Sequence, residues 1–388
     1  MRAVELFAGA GGLGMGISKA GFLPAAVVEW DRWCCDTLRQ NRNHGVSPVS
    51  KWPEPTESDV RDLDFREYAG RVELVSGGPP CQPFSLGGKH GAHDDSRDMW
   101  PEAVRAVRQV QPKAFIFENV KGLMRASFAS YFNYVLLQLH YPSLARGANE
   151  EWNDHHGRLQ RHHTSRPSRK EEYRVVAELL NAADYGVPQR RERVVFVGFR
   201  ADLGIEWAFP KPTHSYEALL WDQCQTEEYW DRHRVSLLER TIDVRTHVRG
   251  KLLPLKPSAK PWRTTRDAIG DLPDPEHEPV KAARIPNHKF QPGARSYHGH
   301  TGSPLDEPAK TLKAGVHGVP GGENMLLKPD GSVRYFTVRE SARLQTFPDD
   351  FRFHGSWSET MRQLGNAVPV SLATTIAKNV ATHLRRAA

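Results

Sequence analysis

Cysteine is scarce in this 388-residue sequence, which contains only Cys34, Cys35, Cys81 and Cys224. Four cysteines in so long a chain do not make the disulfide framework of a secreted protein. None lies in a C-x-x-C pair of the kind that binds zinc or exchanges disulfides. We therefore expect a reducing compartment, the cytoplasm, and no metal cofactor.

Long apolar runs are also missing. No stretch approaches the roughly 18 apolar residues that a membrane-spanning helix requires. The chain enters a strand pattern directly after Met1, so we expect neither a membrane anchor nor a signal peptide. Negative charge is in deficit, with 53 lysines and arginines against 46 acidic residues and a net charge of +7. This balance favours a polyanionic partner such as nucleic acid.

Glycine, by contrast, is concentrated near the start. Residues 3–7 have the pattern of a buried strand, and five glycines follow between Ala8 and Gly16. Such a turn lets the backbone approach a nucleotide or adenosyl ligand closely, although it also serves plain helix packing. The second predicted strand ends in Glu29, where a carboxylate can accept hydrogen bonds from both ribose hydroxyls or simply face solvent. Asp59 either caps a turn or binds an adenine amino group.

The turn from Gly77 to Ser85 (GGPPCQPFS) fixes one cysteine between prolines and glycines, directly after the apolar run 72–75. A thiol at the carboxyl end of a strand lies where open α/β sheets bind their substrates. Cys81 is therefore a candidate nucleophile, the alternative being a small buried apolar side chain. The polar stretch from Gln82 to about Trp100 is typical of a mobile lid.

Two further segments place polar groups at strand ends. An apolar run from Ala114 ends in Glu118, which should face the same crevice as Cys81. Strand patterns over 173–180 and 194–199 predict an antiparallel hairpin. The loop between them carries three arginines, suited to phosphate and base-edge contacts or forming only a charged turn.

The remaining sequence predicts the domain organisation. From 207 to 333, prolines, glycines and histidines replace apolar runs, and residues 141–170 form a basic insertion that either touches phosphate or is a solvated excursion. A terminal helix over 370–384 should return to the first domain. We predict a first domain at 1–200, a separate loop-rich, partly β domain at 201–335 and a returning segment at 336–388.

Taken together, these motifs resemble the C5-cytosine DNA methyltransferase family over nearly the whole chain. The motifs that carry the resemblance are Phe7 to Gly12, Glu29, Pro80-Cys81-Gln82, Glu118-Asn119-Val120, Gln189-x-Arg191-x-Arg193, Arg339 to Pro348 and Gln363-x-Gly365-Asn366. The resemblance implies an α/β fold with a Rossmann-like mixed sheet, helices on both faces, and a smaller loop-rich, partly β target-recognition domain. It also implies a bacterial type II modification enzyme that makes 5-methylcytosine in a specific double-stranded DNA sequence, using S-adenosylmethionine and no metal.

The resemblance further implies three sets of site residues. The catalytic set is Cys81, Glu118, Arg193 and Arg191. The cofactor-binding set is Phe7, Ala8, Gly9, Gly11, Gly12, Glu29, Trp30, Asp59, Pro80 and Asn366. The DNA-binding set is Gln82, Ser85, Arg191, Thr311 and Leu312. In this reaction Cys81 adds to C6 of a flipped-out cytosine, Glu118 acts at ring N3, and Arg193 and Arg191 hold the base carbonyl and adjacent backbone.

Other interpretations stay open at this point. A tRNA cytosine-5 methyltransferase has the same fold, although the long 200–335 segment favours duplex DNA. A catalytically inactive DNA-binding protein is disfavoured by the intact Cys81, Glu118 and Arg193. A nicotinamide dehydrogenase would explain only the glycine turn and Glu29. We expect a monomer whose functional counterpart is a cognate restriction endonuclease.

Overall fold

The computed structural model describes residues 1–80, 98–165, 172–240, 242–298, 301–314 and 324–387. Three predicted site residues, Cys81, Gln82 and Ser85, lie outside these ranges, as does most of the predicted lid. The glycine-rich stretch 315–322 is outside them as well.

A seven-stranded sheet forms the first half of the molecule. Its strands are β1 (Arg2–Leu6), β2 (Leu23–Glu29), β3 (Thr56–Glu57), β4 (Leu74–Gly77), β5 (Ala114–Val120), β6 (Tyr173–Asn181) and β7 (Glu192–Arg200). The strand order is β3-β2-β1-β4-β5-β7-β6. Strands β1 to β5 are parallel, whereas β7 runs antiparallel to both β5 and β6. The predicted closing hairpin is therefore confirmed.

The chain leaves β1 toward β2 on one side and later returns to β4 on the other side. Open α/β sheets bind ligands at such a switch point, outside the carboxyl ends of the strands. The register places Leu6 opposite Gly77, and Gly77 opposite Phe117. A Cβ on Gly77 would lie 2.6 Å from the Leu6 carbonyl oxygen, so only glycine fits there. The glycine turn, Glu118 and the turn that starts at Gly77 consequently lie at one edge of the sheet. The turn that starts at Gly77 leads to the candidate nucleophile Cys81 and is called the nucleophile turn below.

The helices are α1 (Gly12–Lys19), α2 (Arg32–Asn43), α3 (Trp100–Val110), α4 (Ala129–His140), α5 (Trp152–Thr164), α6 (Tyr216–Leu220), α7 (Glu228–His233), α8 (Val244–Lys251), α9 (Thr265–Ile269), α10 (Pro279–Ala282), α11 (Val338–Leu344), α12 (Trp357–Asn366) and α13 (Val370–Arg386). Within the part of the chain that the structure describes, no helix is long and apolar enough to cross a membrane.

Alternate strand residues face opposite sides of the sheet, and both sides are covered. Phe115 and Phe117 pack with α3 and α4, while Ala114 and Ile116 pack with α1 and α13. This alternation follows from the two-residue period of a strand. The expected α/β sheet with helices on both faces is confirmed.

The terminal helix α13 begins at the predicted Val370 and packs directly against α1. A Cβ on Gly16 of α1 would lie 2.4 Å from the Ala373 Cβ of α13, so the two helices touch through their smallest residues. Around this contact, Ile17 and Ile376 belong to the same buried cluster. The last segment of the chain therefore returns to the first sheet.

The middle of the chain contains short elements and small sheets. Its strands are β8 (His214–Ser215), β9 (Lys260–Pro261), β10 (Ser303–Pro304), β11 (Met325–Leu327) and β12 (Val333–Tyr335). Within this region Leu312 and Leu326 share a buried cluster with Phe336 and Leu344, so its core continues into α11.

Helix α5, within the basic insertion, packs against the rest of the protein. The prediction of a solvated excursion is therefore wrong for this helix. His155 is 1% exposed and packs against α4. Its Nε2 lies 2.7 Å from the Leu144 carbonyl oxygen, which can only accept, so Nδ1 accepts from the Tyr134 hydroxyl at 2.8 Å. Leu159, one helical turn further on, is fully buried. The described part of the insertion is therefore a packed extension of the sheet's helical layer.

Candidate active site

A cavity of about 1500 Å³ opens at the switch point of the large sheet. It brings together predicted site residues that are hundreds of positions apart in the sequence. Those lining it are Phe7, Ala8, Gly9, Gly12, Glu29, Trp30, Asp59, Pro80, Glu118, Arg193, Thr311, Leu312 and Asn366. Two described members of the predicted sets, Gly11 and Arg191, are not in this lining.

The glycine turn shapes one wall of the cavity. Gly9 has a φ of 53°, a conformation that favours glycine, and a Cβ there would meet no atom within 4 Å. Gly12 begins α1, and a Cβ on it would lie 2.3 Å from the Val368 carbonyl oxygen. The turn is therefore open toward the cavity at Gly9 and closely packed against the last segment at Gly12.

Gly11 has a packing role instead of the predicted ligand contact. Its φ is 85°, and a Cβ on it would lie 2.9 Å from Leu38 Cδ2 and 3.2 Å from the Trp52 ring. The residue faces the α2 side of the turn because the left-handed backbone precedes the first turn of α1. Because Gly11 is not among the cavity-lining residues, its contact with a cofactor is disfavoured and stays a prediction.

Glu29 is held in place by three backbone N–H groups. Gly9 donates to Oε2 at 2.7 Å, while Trp30 and Asp31 donate to Oε1 at 3.0 and 2.8 Å. Burial raises the pKa of the Glu29 carboxyl, and these hydrogen bonds oppose that shift. A carboxylate has about four acceptor positions, so about one remains for a ligand hydroxyl. The side chain is 7% exposed, which excludes the solvated strand end.

Asp59 caps a turn, one of its two predicted roles. Its Oδ1 accepts from the Arg61 N–H at 2.9 Å, and its Oδ2 forms an ion pair with Arg61 Nη2 at 2.6 Å. The hydrogen bond from Arg61 lowers the pKa of the Asp59 carboxyl. Because Asp59 also lines the cavity, the second role, binding an adenine amino group, stays a prediction.

Glu118 and Arg193 form a buried ion pair on adjacent strands. Arg193 Nε lies 2.6 Å from Glu118 Oε1, and both side chains are about one-tenth exposed. Burial raises the pKa of Glu118, and the positive charges of Arg193 and Arg191 offset this only partly. A Cβ on Gly78 would lie 3.3 Å from Glu118 Oε2, so the start of the nucleophile turn is beside this carboxyl group. Glu118 is therefore protonated more readily than an exposed glutamate.

Two residues near the site have roles that the sequence interpretation did not assign. Asn119 donates from Nδ2 to the Pro79 carbonyl at 3.2 Å and so ties β5 to the nucleophile turn. Arg362 lines the cavity and donates from Nη2 to Asp31 Oδ2 at 2.8 Å, joining α12 to the end of β2. The sequence offered only one signal for each role, because Asn119 directly follows Glu118 and Arg362 directly precedes the motif residue Gln363.

Arg191 does not have the predicted position. It is 0% exposed, and its guanidinium N–H groups donate to the carbonyls of Leu312 (3.0 Å), Gly365 (2.7 Å) and Ala367 (2.9 Å). These donors are directed at the protein's own backbone, so the predicted contact of Arg191 with base and DNA is wrong in this structure.

Thr311 and Leu312 meet the same loop as Arg191. Thr311 Oγ1 donates to the Arg190 carbonyl at 2.6 Å, and the Leu312 N–H donates to Gln189 Oε1 at 3.1 Å. The Leu312 side chain is 1% exposed and belongs to an apolar cluster, although the residue also lines the cavity. Contact of Thr311 and Leu312 with DNA stays a prediction, and the burial of the Leu312 side chain disfavours it at that residue.

The three cysteines within the described residues are poor nucleophiles. Burial raises the pKa of Cys34, Cys35 and Cys224, in the case of Cys35 to about 12. Because the thiolate is the reactive form, these thiols are inert at neutral pH. Cys81, which lies outside the described residues, therefore stays the predicted nucleophile.

Comparisons with known proteins agree with the geometry. A family model described as C-5 cytosine-specific DNA methylase matches residues 1–141 and 159–382. The type II methyltransferase M.PspPI of Psychrobacter sp. (strain TA137) is 33% identical over 393 residues, covering 99% of this chain and 80% of that protein. The type II methyltransferase M.Eco47II of Escherichia coli is 31% identical over 385 residues, covering 97% and 78%.

A crystal structure of a protein encoded within an E. coli prophage has the same fold. It aligns with a TM-score of 0.60 at 21% identity and covers 99% of both chains. The matched segments contain β1, the glycine turn, Glu118, α12 and most of α13. This chain belongs to the C-5 cytosine-specific DNA methylase family.

Proposed function

We propose that the protein transfers a methyl group from S-adenosylmethionine to C5 of a cytosine flipped out of a specific double-stranded DNA sequence, through a covalent bond between Cys81 and C6. Its membership of the C-5 cytosine DNA methylases, with type II relatives, makes it a DNA (cytosine-5-)-methyltransferase. The observation that carries the finer proposal is the buried Glu118–Arg193 pair beside the turn that leads into Cys81.

The chemistry explains why an acid and a thiol belong together. Cytosine C5 is a poor nucleophile, so the Cys81 thiolate first forms an S–C6 bond. Protonation or hydrogen bonding at ring N3 by Glu118 takes up the charge that this addition creates. When bound, S-adenosylmethionine would supply an activated methyl group to C5, and its sulfur would leave as the thioether of S-adenosylhomocysteine. A base removes the C5 proton, and the S–C6 bond breaks to release Cys81.

The raised pKa of Glu118 supports its role as the N3 donor. A carboxyl group donates a hydrogen bond only when it is protonated, and burial favours that form. Arg193 fixes the carboxyl orientation through its Nε at 2.6 Å. We infer that Arg193 also contacts the base carbonyl, since it lines the same cavity.

The cavity fits the cofactor at its glycine-turn end. The remaining acceptor position of Glu29 suits a ribose hydroxyl, and the 68% exposed Trp30 offers a ring face for stacking. Gly9 allows close approach of the backbone, and Asn366 lines the same cavity. A volume of about 1500 Å³ exceeds the roughly 300–1,000 Å³ of a pocket for one small ligand, which supports room for a flipped base as well.

The rim of the cavity suits a nucleic-acid backbone. Lys121, Arg125 and Lys313 line the cavity and are exposed, and Lys121 is paired with Glu192 at 2.8 Å. Basic side chains at a cleft position DNA through its phosphates without reading its sequence. A base inside a stacked duplex cannot reach Glu118, so the target cytosine has to be extruded.

Bisulfite sequencing of DNA from cells that express the protein tests the proposal. We expect one short duplex sequence to carry 5-methylcytosine, with no such pattern in cells expressing an empty vector. In a transfer assay with labelled S-adenosylmethionine, methyl label on adenine N6 or cytosine N4 would contradict the assignment of the reaction. Transfer to tRNA and not to DNA would instead support the alternative substrate, which the type II relatives do not favour.

Restriction-modification is the biological setting that we propose. The relatives with which this chain aligns along nearly its full length are named type II methyltransferases. DNA from expressing cells should resist an endonuclease that cuts the same sequence when it is unmethylated. Cleavage of this DNA at the same rate as unmodified DNA would contradict the proposed setting.

Replacing Glu29 by glutamine should weaken cofactor binding. The change substitutes an N–H₂ group for one carboxylate oxygen, so the side chain can no longer accept all three backbone hydrogen bonds together with one from the ligand. A hydrogen bond to a charged group contributes about 1.5–3 kcal/mol, and we expect about ten- to hundredfold weaker binding of S-adenosylhomocysteine in calorimetric titration. Glu57→Gln is the control, because Glu57 pairs with Arg39 outside the cavity. Equal affinities for both variants would remove Glu29 from the cofactor site.

A further inference from the structure

We propose that Arg191 is a positioning residue that couples target recognition to cofactor binding. The inference rests on the proposed function, because it connects the segment proposed to read DNA with the segment proposed to hold the cofactor. The loop from Thr311 to Ala314 is called the recognition loop below, and Gly365 to Ala367 the cofactor segment.

The side chain of Arg191 joins these two segments directly. Nη1 donates to the carbonyl of Leu312 in the recognition loop, at 3.0 Å. Nη2 donates to the carbonyls of Gly365 and Ala367 in the cofactor segment, at 2.7 and 2.9 Å. One planar guanidinium group therefore fixes the spacing between two parts of the chain that are more than fifty residues apart.

The backbones of the two segments also touch. A Cβ on Gly365 would lie 2.3 Å from the Ala314 nitrogen and 2.5 Å from the Lys313 carbonyl carbon, so no side chain fits between them. On its other side, Lys313 is held by Asn324, whose Oδ1 accepts from the Lys313 N–H at 2.9 Å and whose Nδ2 donates to the Lys313 carbonyl at 2.8 Å. The recognition loop is thus held between Asn324 and the cofactor segment.

Burial makes this arrangement difficult to loosen. The Arg191 guanidinium is fully buried, and burial together with the charge of Arg193 lowers its pKa, against the opposing effect of Glu118. If either segment moved away, a buried charged donor would lose its acceptor, which is strongly unfavourable. The two segments consequently move together or not at all.

A ligand that stabilises one segment in this arrangement also stabilises the other. DNA binding at Thr311, which lines the cavity, would favour the position of Asn366 that the cofactor requires, and the reverse holds by thermodynamic linkage. The wild-type protein should therefore bind S-adenosylhomocysteine more tightly in the presence of its target DNA. An allosteric coupling of this kind typically changes affinity about 5- to 150-fold.

The test is a binding cycle of five measurements. The Kd of S-adenosylhomocysteine is measured without DNA, with a short duplex carrying the sequence found by bisulfite mapping, and with a scrambled duplex; the Kd of the duplex is measured with and without S-adenosylhomocysteine. We expect the target duplex to tighten cofactor binding at least fivefold, and the reverse measurement to give the same factor. In Arg191→Lys, which keeps the charge but not the planar three-carbonyl contact, the factor should fall toward one.

Arg190→Gln is the matched control. Arg190 is the neighbouring residue, and its guanidinium pairs with Glu307 at the surface at 2.9 Å, so its loss should leave the coupling factor unchanged. Asn324→Ala provides a second variant that frees the recognition loop without altering a buried charge, and it should also lower the factor. Thermal unfolding of every variant identifies any that do not fold.

Several outcomes would overturn the inference. Independent binding of the two ligands to the wild type would do so, as would weaker binding of both ligands to Arg191→Lys with an unchanged coupling factor, since that result describes a purely structural residue. A wild-type protein that binds neither ligand and transfers no methyl group would contradict the proposed function instead.

Discussion

Replacing Cys81 by serine is expected to lower the rate of methyl transfer by on the order of 10⁴- to 10⁶-fold, the range seen when a catalytic nucleophile is removed. A serine hydroxyl is far less nucleophilic than a thiolate at neutral pH, so the S–C6 bond that activates the cytosine cannot form. Binding of S-adenosylhomocysteine should change little, because Glu29 and Gly9, which are proposed to hold the cofactor, are unaltered. Transfer of labelled methyl groups to the mapped duplex measures the first effect, and calorimetric titration the second.

Cys224→Ser is the control for this substitution. Cys224 is buried in the middle region of the chain, and burial raises the pKa of its thiol. This variant should therefore retain the wild-type rate. If Cys81→Ser were as active as Cys224→Ser, Cys81 would have no place in the mechanism.

Replacing Glu118 by glutamine should lower the rate by about 10²- to 10⁴-fold, the usual contribution of a positioned acid or base. The amide keeps the size of the side chain, but it cannot transfer a proton to N3, and it loses the ion pair with Arg193 at 2.6 Å. The pH dependence gives a second readout in the same experiment. Because burial raises the pKa of Glu118, its neutral form and the associated rate should persist above the usual range of a glutamate and decline as the pH rises through the raised pKa.

In Glu118→Gln this decline with rising pH should disappear, since glutamine does not ionise. Glu178→Gln is the matched control, because Glu178 is exposed on β6, which β7 separates from the strand of Glu118. It should leave both the rate and the pH profile unchanged. A glutamine variant at position 118 with wild-type rate and pH profile would exclude Glu118 as the acid.

The sequence predicted the parts of the fold that depend on local patterns. Apolar runs with a carboxylate or glycine at their ends predicted β1, β2 and β5 and their shared edge, because strand ends in a parallel sheet meet on one side. Helix α13 was predicted from Val370 onward by its apolar spacing, and the structure has it from that residue. These features need only a few neighbouring residues to be specified.

Roles that depend on distant contacts were not predictable in the same way. Arg191 and Arg193 are two positions apart and chemically identical, yet one contacts three backbone carbonyls and the other pairs with Glu118. Where a strand begins, residues two positions apart need not have the same environment. The surrounding segments determine which carbonyls or carboxylates each of them contacts. Gly11 and Leu312 similarly became packing residues because Trp52 and Phe336, far away in the sequence, fill the space beside them.

The alternatives are separated by the findings to different degrees. A nicotinamide dehydrogenase is excluded by membership of the methylase family, which spans nearly the whole chain. The tRNA substrate is disfavoured by the type II relatives. An inactive DNA-binding protein would have no use for a buried Glu118–Arg193 pair at a cavity of this size.

The covalent bond between Cys81 and the target cytosine is the central claim, and a trapping experiment tests it most directly. The protein is incubated with S-adenosylmethionine and a duplex whose target cytosine is replaced by 5-fluorocytosine, which has no C5 proton to remove after methyl transfer. We expect an adduct that survives denaturation, with peptide mass analysis locating the DNA on Cys81, and none with Cys81→Ser. Full methylation of the unmodified duplex without any trapped adduct, or an adduct on another residue, would contradict the account.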